Sequence, residues 1–130
     1  MEHIDRWVYN DILNISDSDI LEGDLKMSSP ITESTYYILL SLLKPNHGYG
    51  IIQKVEELTN HRVVLGPGTL YGAINTLLEK KWIILYSEEK DSRKKKEYLI
   101  SEEGRKVLLE EIDRLKELIK NGIREIGVND

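Results

Sequence analysis

The sequence predicts a mainly α-helical fold with one small β-hairpin and a long closing helix. Three observations predict it. Apolar residues recur at helical spacing along much of the chain, two short β-favouring runs flank a charged loop, and a heptad of aliphatic residues lies near the C-terminus. A chain of 130 residues fits about one domain and is long enough to bury a real core.

Residues 1–30 read as an acidic N-terminal extension, either a short helix or a disordered arm. Ile4, Val8, Ile12 and Ile15, with Trp7 beside them, have amphipathic helical spacing, and Ser16–Asp19 looks like a turn or cap. Met27-Ser28-Ser29-Pro30 breaks that pattern. Residues 31–101 form the regular part. A first helix begins under a cap from Thr32 or Ser34 and places Tyr36, Leu39, Leu40 and Leu43 on one face. Lys44–Gly48 is a turn, because proline ends the helix.

A second helix follows from about Tyr49 to Asn60, with Ile51, Ile52, Val55 and Leu58 inward. Val63-Val64-Leu65 is a short β-favouring run. Gly66-Pro67-Gly68 opens a third helix, with Pro67 suited to its first position. Its buried face would be Leu70, Ala73, Ile74, Leu77 and Leu78, while Thr69, Gly72, Asn75 and Thr76 lie opposite and Tyr71 sits near the edge. Trp82–Tyr86 and Glu97–Ile100 read as strands of a hairpin around the polar stretch Ser87–Lys96.

Ser101 caps a final helix, residues 102–130 with its tail, whose first turn carries Glu102 and Glu103 at the positive end of the dipole. Leu108, Ile112, Leu115, Ile119 and Ile126 form its heptad seam, with Gly122 at the vacant core position. A helix from Glu102 to Ile126 is roughly 37 Å long at 1.5 Å per residue, more than the preceding domain can cover. Ile119, Ile123 and Ile126 therefore need another partner, most simply a second copy in a twofold dimer.

Charge and composition exclude several classes. The net charge is −5, but residues 1–30 alone carry seven acids against two bases. Residues 31–101 are the basic part, with ten bases and eight acids, and Arg93, Lys94, Lys95 and Lys96 are consecutive. An anionic partner would therefore meet the middle of the chain. The chain has no cysteine, so it has neither disulfides nor thiolate metal sites. His3, His47 and His61 stand apart and make no metal set, and no nucleophile–base pair or paired-acid arrangement points to an enzyme. No transmembrane run or secretory leader is legible, and a cytoplasmic protein without cofactor is expected.

Three helices followed by a hairpin with a basic tip is the order of a winged helix-turn-helix. In that arrangement the third helix enters the major groove of DNA and the hairpin loop touches the neighbouring backbone. Gly68, Thr69, Gly72 and Asn75 supply a small, polar groove-facing surface, and the four bases at 93–96 supply compact charge for phosphates. The expected function is a sequence-specific DNA-binding regulator. A winged-helix module that binds protein, with the acidic arm as a contact, is the rival reading. A further expectation is that the arm folds over the basic face and restrains binding.

Gly48-Tyr49-Gly50-Ile51, then Gly66-Pro67-Gly68-Thr69-Leu70-Tyr71, then Arg93 through Gly104 resemble the PadR-type transcriptional regulators, in the short form with a single C-terminal helix. The resemblance covers about Met27 to Asn121. It implies a bacterial or archaeal homodimeric repressor on pseudo-palindromic operators, dimerised by the last helix with help from the first. Carried over by position, it makes Tyr49, Thr69, Tyr71 and the wing bases DNA contacts. It also implies a small-molecule effector, held in some relatives between aromatic residues at the dimer interface. The closing helix here carries no aromatic residue, so the sequence departs from the family at that pocket, and any effector is unidentified. The acidic extension departs from the family pattern.

Overall fold

The computed structural model of the chain describes residues 29–88 and 96–127. The readings made for residues 1–28, including the amphipathic helix and its contact or restraining role, lie outside the described residues, as do those for Arg93, Lys94 and Lys95. In order, the elements are α1 (Glu33–Ser41), β1 (Asn46–His47), α2 (Gly48–Leu58), α3 (Pro67–Glu79), β2 (Ile83–Glu88), β3 (Lys96–Ile100) and α4 (Glu102–Ile126). Ile31–Leu109 is one compact unit, and from Glu110 onward α4 belongs to a second.

Thr32, not Ser34, caps α1: its hydroxyl accepts a hydrogen bond from the Thr35 amide at 3.1 Å. The helix stops at Ser41, so its inner face is Ile38 and Leu39, with Leu42 just beyond, and Leu43 is exposed. The expected face was thus displaced, because a helix ending two residues before Leu43 cannot carry that side chain into its stripe. In α2, Ile51 and Val55 are buried as expected. Leu58 is exposed and Thr59 takes the inward place, its hydroxyl donating to the Val55 carbonyl at 2.9 Å and accepting from the Val63 amide at 3.0 Å.

The β-favouring run Val63–Leu65 forms no strand. Leu65 is an anchor in the core and Val64 is exposed. Asn60 and His61 turn the chain here through the left-handed region, at φ 51° and 65°. The third strand is instead Asn46–His47, which the sequence presents as a turn. The sheet order is β1-β3-β2, with Asn46 opposite Tyr98, His47 opposite Glu97, and Ile83 opposite Ile100. Both edges of β3 are thereby occupied, and residues 63–65 take no part in the sheet. Tyr86 is the extra residue of a bulge between Leu85 and Ser87.

The core joins Leu70, Ile74 and Leu77 of α3 to Ile38, Leu39, Ile51 and Val55 of the first two helices and to Ile83, Tyr98 and Ile100 of the sheet. Hydrogen bonds lock the junctions. The Ile100 amide donates to the Leu42 carbonyl at 2.8 Å, and the Ser101 amide donates to that of Trp82 at 2.9 Å. Ser101 caps α4 as predicted. Its hydroxyl accepts from the Gly104 amide at 3.0 Å and donates to the Lys81 carbonyl at 2.6 Å. The first two turns of α4 belong to the Ile31–Leu109 unit. Leu108, expected to open the dimer seam, is only 3% exposed. It is committed to the chain's own core, because the capped first turn holds α4 against the hairpin.

Candidate nucleic-acid interface

α3 begins without a side-chain cap. Gly66 is its N-cap residue and makes no side-chain hydrogen bond, and Pro67 contributes no amide. The next amides are among those a helix leaves without an internal partner, and they sit at the positive end of the dipole, an arrangement that favours phosphate. Gly68, Thr69, Gly72, Asn75 and Thr76 are all exposed, on the face opposite Leu70, Ile74 and Leu77. A Cβ at Gly66, Gly68 or Gly72 would meet nothing within 4 Å. Among the described residues no packing calls for these glycines, so the face is bare on its outer side. The Thr76 hydroxyl turns back to the Gly72 carbonyl at 3.1 Å, while Asn75 is exposed.

Tyr49 stands in the first turn of α2 and is 65% exposed. That turn is capped by His47, whose Nδ1 accepts from the Gly50 amide at 3.1 Å. Asn46 braces the cap, its Oδ1 accepting from the His47 amide at 2.9 Å. Sequence reasoning missed this role of Asn46 and His47: asparagine ahead of a helix start is a capping signal, but here it braces the cap and the histidine, not a usual cap residue, takes the cap position. Tyr71, 48% exposed on α3, leans toward the same turn: a Cβ at Gly48 would lie 2.3 Å from the Tyr71 hydroxyl oxygen. Tyr71 is therefore both a packing and a surface residue. Tyr98 of β3 is buried, and that burial raises its hydroxyl pKa above the ordinary tyrosine value, with Tyr71 and Glu88 acting in the same direction.

At the hairpin, Lys96 lies 3.7 Å from Glu88 on the facing strand, so one of the four wing bases is paired across the sheet. Ser87 donates to Glu97 at 2.7 Å. Elsewhere, Arg62 in the α2–α3 loop forms a bidentate pair with Glu33 of α1, which lowers the Glu33 pKa. Among the described residues no group of three histidine, cysteine or acidic side chains could hold a metal ion, and no helix is long and apolar enough to cross a membrane.

In the second unit, Ile112, Leu115 and Ile123 are half-buried, while Leu118, Ile119 and Ile126 are exposed, Ile126 at 80%. Glu111 is buried and receives two hydrogen bonds from Arg114, at 2.8 and 2.6 Å, which raise the Arg114 pKa.

A helix-turn-helix whose second helix presents a bare, exposed face, backed by a three-stranded sheet, defines the winged-helix class of DNA-binding regulators. The family of PadR-like transcriptional regulators matches residues 38–110. The chain belongs to that family. It is 34% identical over 107 residues to an uncharacterized protein of Lysinibacillus sphaericus, a match covering 78% of this chain and 90% of that one. It is 36% identical over 74 residues to an uncharacterized 37.1 kDa protein of a Streptomyces fradiae transposon, covering 57% of this chain but only 20% of that relative's length. Among solved structures, a PadR family transcription regulator from Clostridium difficile is 28% identical, with a TM-score of 0.54 over 71% of this chain and 96% of that one.

Proposed function

We propose that the chain is a homodimeric repressor that binds a pseudo-palindromic operator through two α3 helices in successive major grooves, about one turn or roughly 34 Å apart. The observation that carries this reading is the outer face of α3, where Gly68 and Gly72 have open space and Thr69 and Asn75 are exposed. Such a surface lets a duplex approach the helix backbone while polar side chains read base edges. Tyr49, Tyr71 and the wing bases Arg93, Lys94, Lys95 and Lys96 would hold the flanking phosphates, fixing register without reading sequence.

The homodimer is supported by Leu118, Ile119 and Ile126, exposed aliphatic residues on a helix that runs on beyond the compact unit. With Ile112, Leu115 and Ile123 they form a stripe that a second copy of α4 would cover. Residues 31–101 then serve as the DNA-binding part and 102–130 chiefly as the dimerising one. Such a repressor works in the cytoplasm, beside the DNA.

Fluorescence-anisotropy titration of a duplex carrying the protein's own upstream sequence tests the proposal. Saturable binding, at least tenfold tighter than to an unrelated duplex, is the expected result. No retention at low salt and micromolar protein would overturn it and favour the protein-binding module.

A further inference from the structure

Gly48 stands at the first position of α2, where glycine has no conformational role. Its backbone lies outside the left-handed region, and alanine favours a helix more than glycine does. Space is what the glycine provides. The three atoms nearest to a Cβ there all belong to the Tyr71 side chain, the hydroxyl oxygen at 2.3 Å and the ring atoms Cζ and Cε1 at 2.8 and 3.2 Å. The bare glycines of α3 are the reverse case, with nothing around them.

The turn beneath Tyr71 is held by three interactions. Asn46 pairs with Tyr98 of the wing strand β3, the Asn46 side chain holds the His47 amide, and the His47 ring caps the Gly50 amide. Gly48 itself is buried. The ring of Tyr71 thus rests on a first turn that is tied to the wing, while its own backbone belongs to α3.

We propose that Gly48 is a positioning residue for DNA recognition: by having no side chain it seats the Tyr71 ring on the first turn of α2 and so sets how Tyr71 is presented beside Thr69, Gly72 and Asn75. The inference rests on the DNA-binding reading, with Tyr71 as a phosphate contact. A methyl group at residue 48 would push the ring away without obstructing backbone, because the obstacle is the free end of one side chain.

The test compares wild type with Gly48→Ala, Tyr71→Ala and the double variant, by anisotropy on the same upstream duplex and by thermal melting. Gly48→Ala is expected to melt no lower than wild type and to bind about tenfold more weakly, the size of one lost phosphate hydrogen bond. Tyr71→Ala should lose a similar amount, and the double variant no more than either single one. Unchanged affinity in Gly48→Ala overturns the proposal, as do losses that simply add. If Gly48→Ala melts lower, adding Tyr71→Ala must restore the midpoint, and failure to restore it also overturns the proposal. If wild type itself ignores DNA, the function reading fails separately. The Gly48–Tyr71 seating is then read from the ring signals of Tyr71 in labelled-tyrosine NMR, which should shift in Gly48→Ala; no shift refutes it.

Discussion

Replacing Gly72 should move folding and DNA binding in opposite directions. Gly72 lies inside α3, exposed, with open space where a Cβ would project. Glycine within a helix is less favourable than alanine by about 0.8–1.0 kcal/mol, and nothing among the described residues offsets that here. Gly72→Ala should therefore stabilise the protein by about 1 kcal/mol, which raises the melting temperature by about 4 °C in a chain of 130 residues. If the face enters a groove, the same methyl intrudes on a closely packed contact. Overpacking costs about 1–3 kcal/mol, a loss of binding of about 5- to 150-fold. Gly72→Glu adds a negative charge facing phosphates and should abolish specific binding while the fold persists. Differential scanning calorimetry and anisotropy on the upstream duplex read the two effects separately. A Gly72→Glu protein with undiminished affinity would refute the groove-facing assignment, and a Gly72→Ala protein that melts lower would refute the reasoning from open space.

Gly104→Ala should have the opposite character. A Cβ there would lie 2.0 Å from the Trp82 carbonyl oxygen, a backbone atom that cannot swing aside. A loss of about 1–3 kcal/mol or more is expected in urea unfolding, and wild-type stability would contradict the packing of α4 on the hairpin. Ile119→Glu combined with Ile126→Glu should convert a dimer to monomer in sedimentation, with Leu108 still sealing the core; an unchanged dimer would place the interface elsewhere. Arg93→Ala with Lys95→Ala should reduce the slope of log affinity against log salt by about 1.8, at about 0.9 per phosphate. An unchanged slope would remove those residues from the backbone contacts. The Glu33–Arg62 pair has a pH signature. Because the folded pKa of Glu33 is lowered, its contribution is complete above the ordinary carboxylate value of 4.5 and fades as pH falls through the depressed value. Glu33→Gln should remove that portion of the acid-limb slope in melting against pH, and identical slopes would show that the pair does nothing for folding.

Much of the architecture was legible because it follows from local rules. Pro67 at the head of α3, the Ser101 cap, and the stripe Leu70, Ile74 and Leu77 opposite Thr69, Gly72 and Asn75 depend on periodicity and on backbone groups a few residues apart. The exposed polar face of α3 could be read for the same reason, since one helix carries it.

Elements that depend on distant partners were a different matter. Asn46–His47 is a strand only because β3, some fifty residues later, offers it an edge, while Val63–Leu65 has the β-favouring residues and pairs with no strand. Leu108 matches the heptad seam as well as Ile119 does, yet the Ser101–Lys81 hydrogen bond and the bare Gly104 draw the start of α4 onto the hairpin and bury it. Tyr71 could be placed on a helix edge from its sequence position, but its seat on Gly48 required two helices to meet. Spacing along the chain therefore determined which faces are apolar and where helices begin. Tertiary packing decided which of those faces the chain covers itself and which it leaves open, since burial is a property of surfaces brought together across the fold.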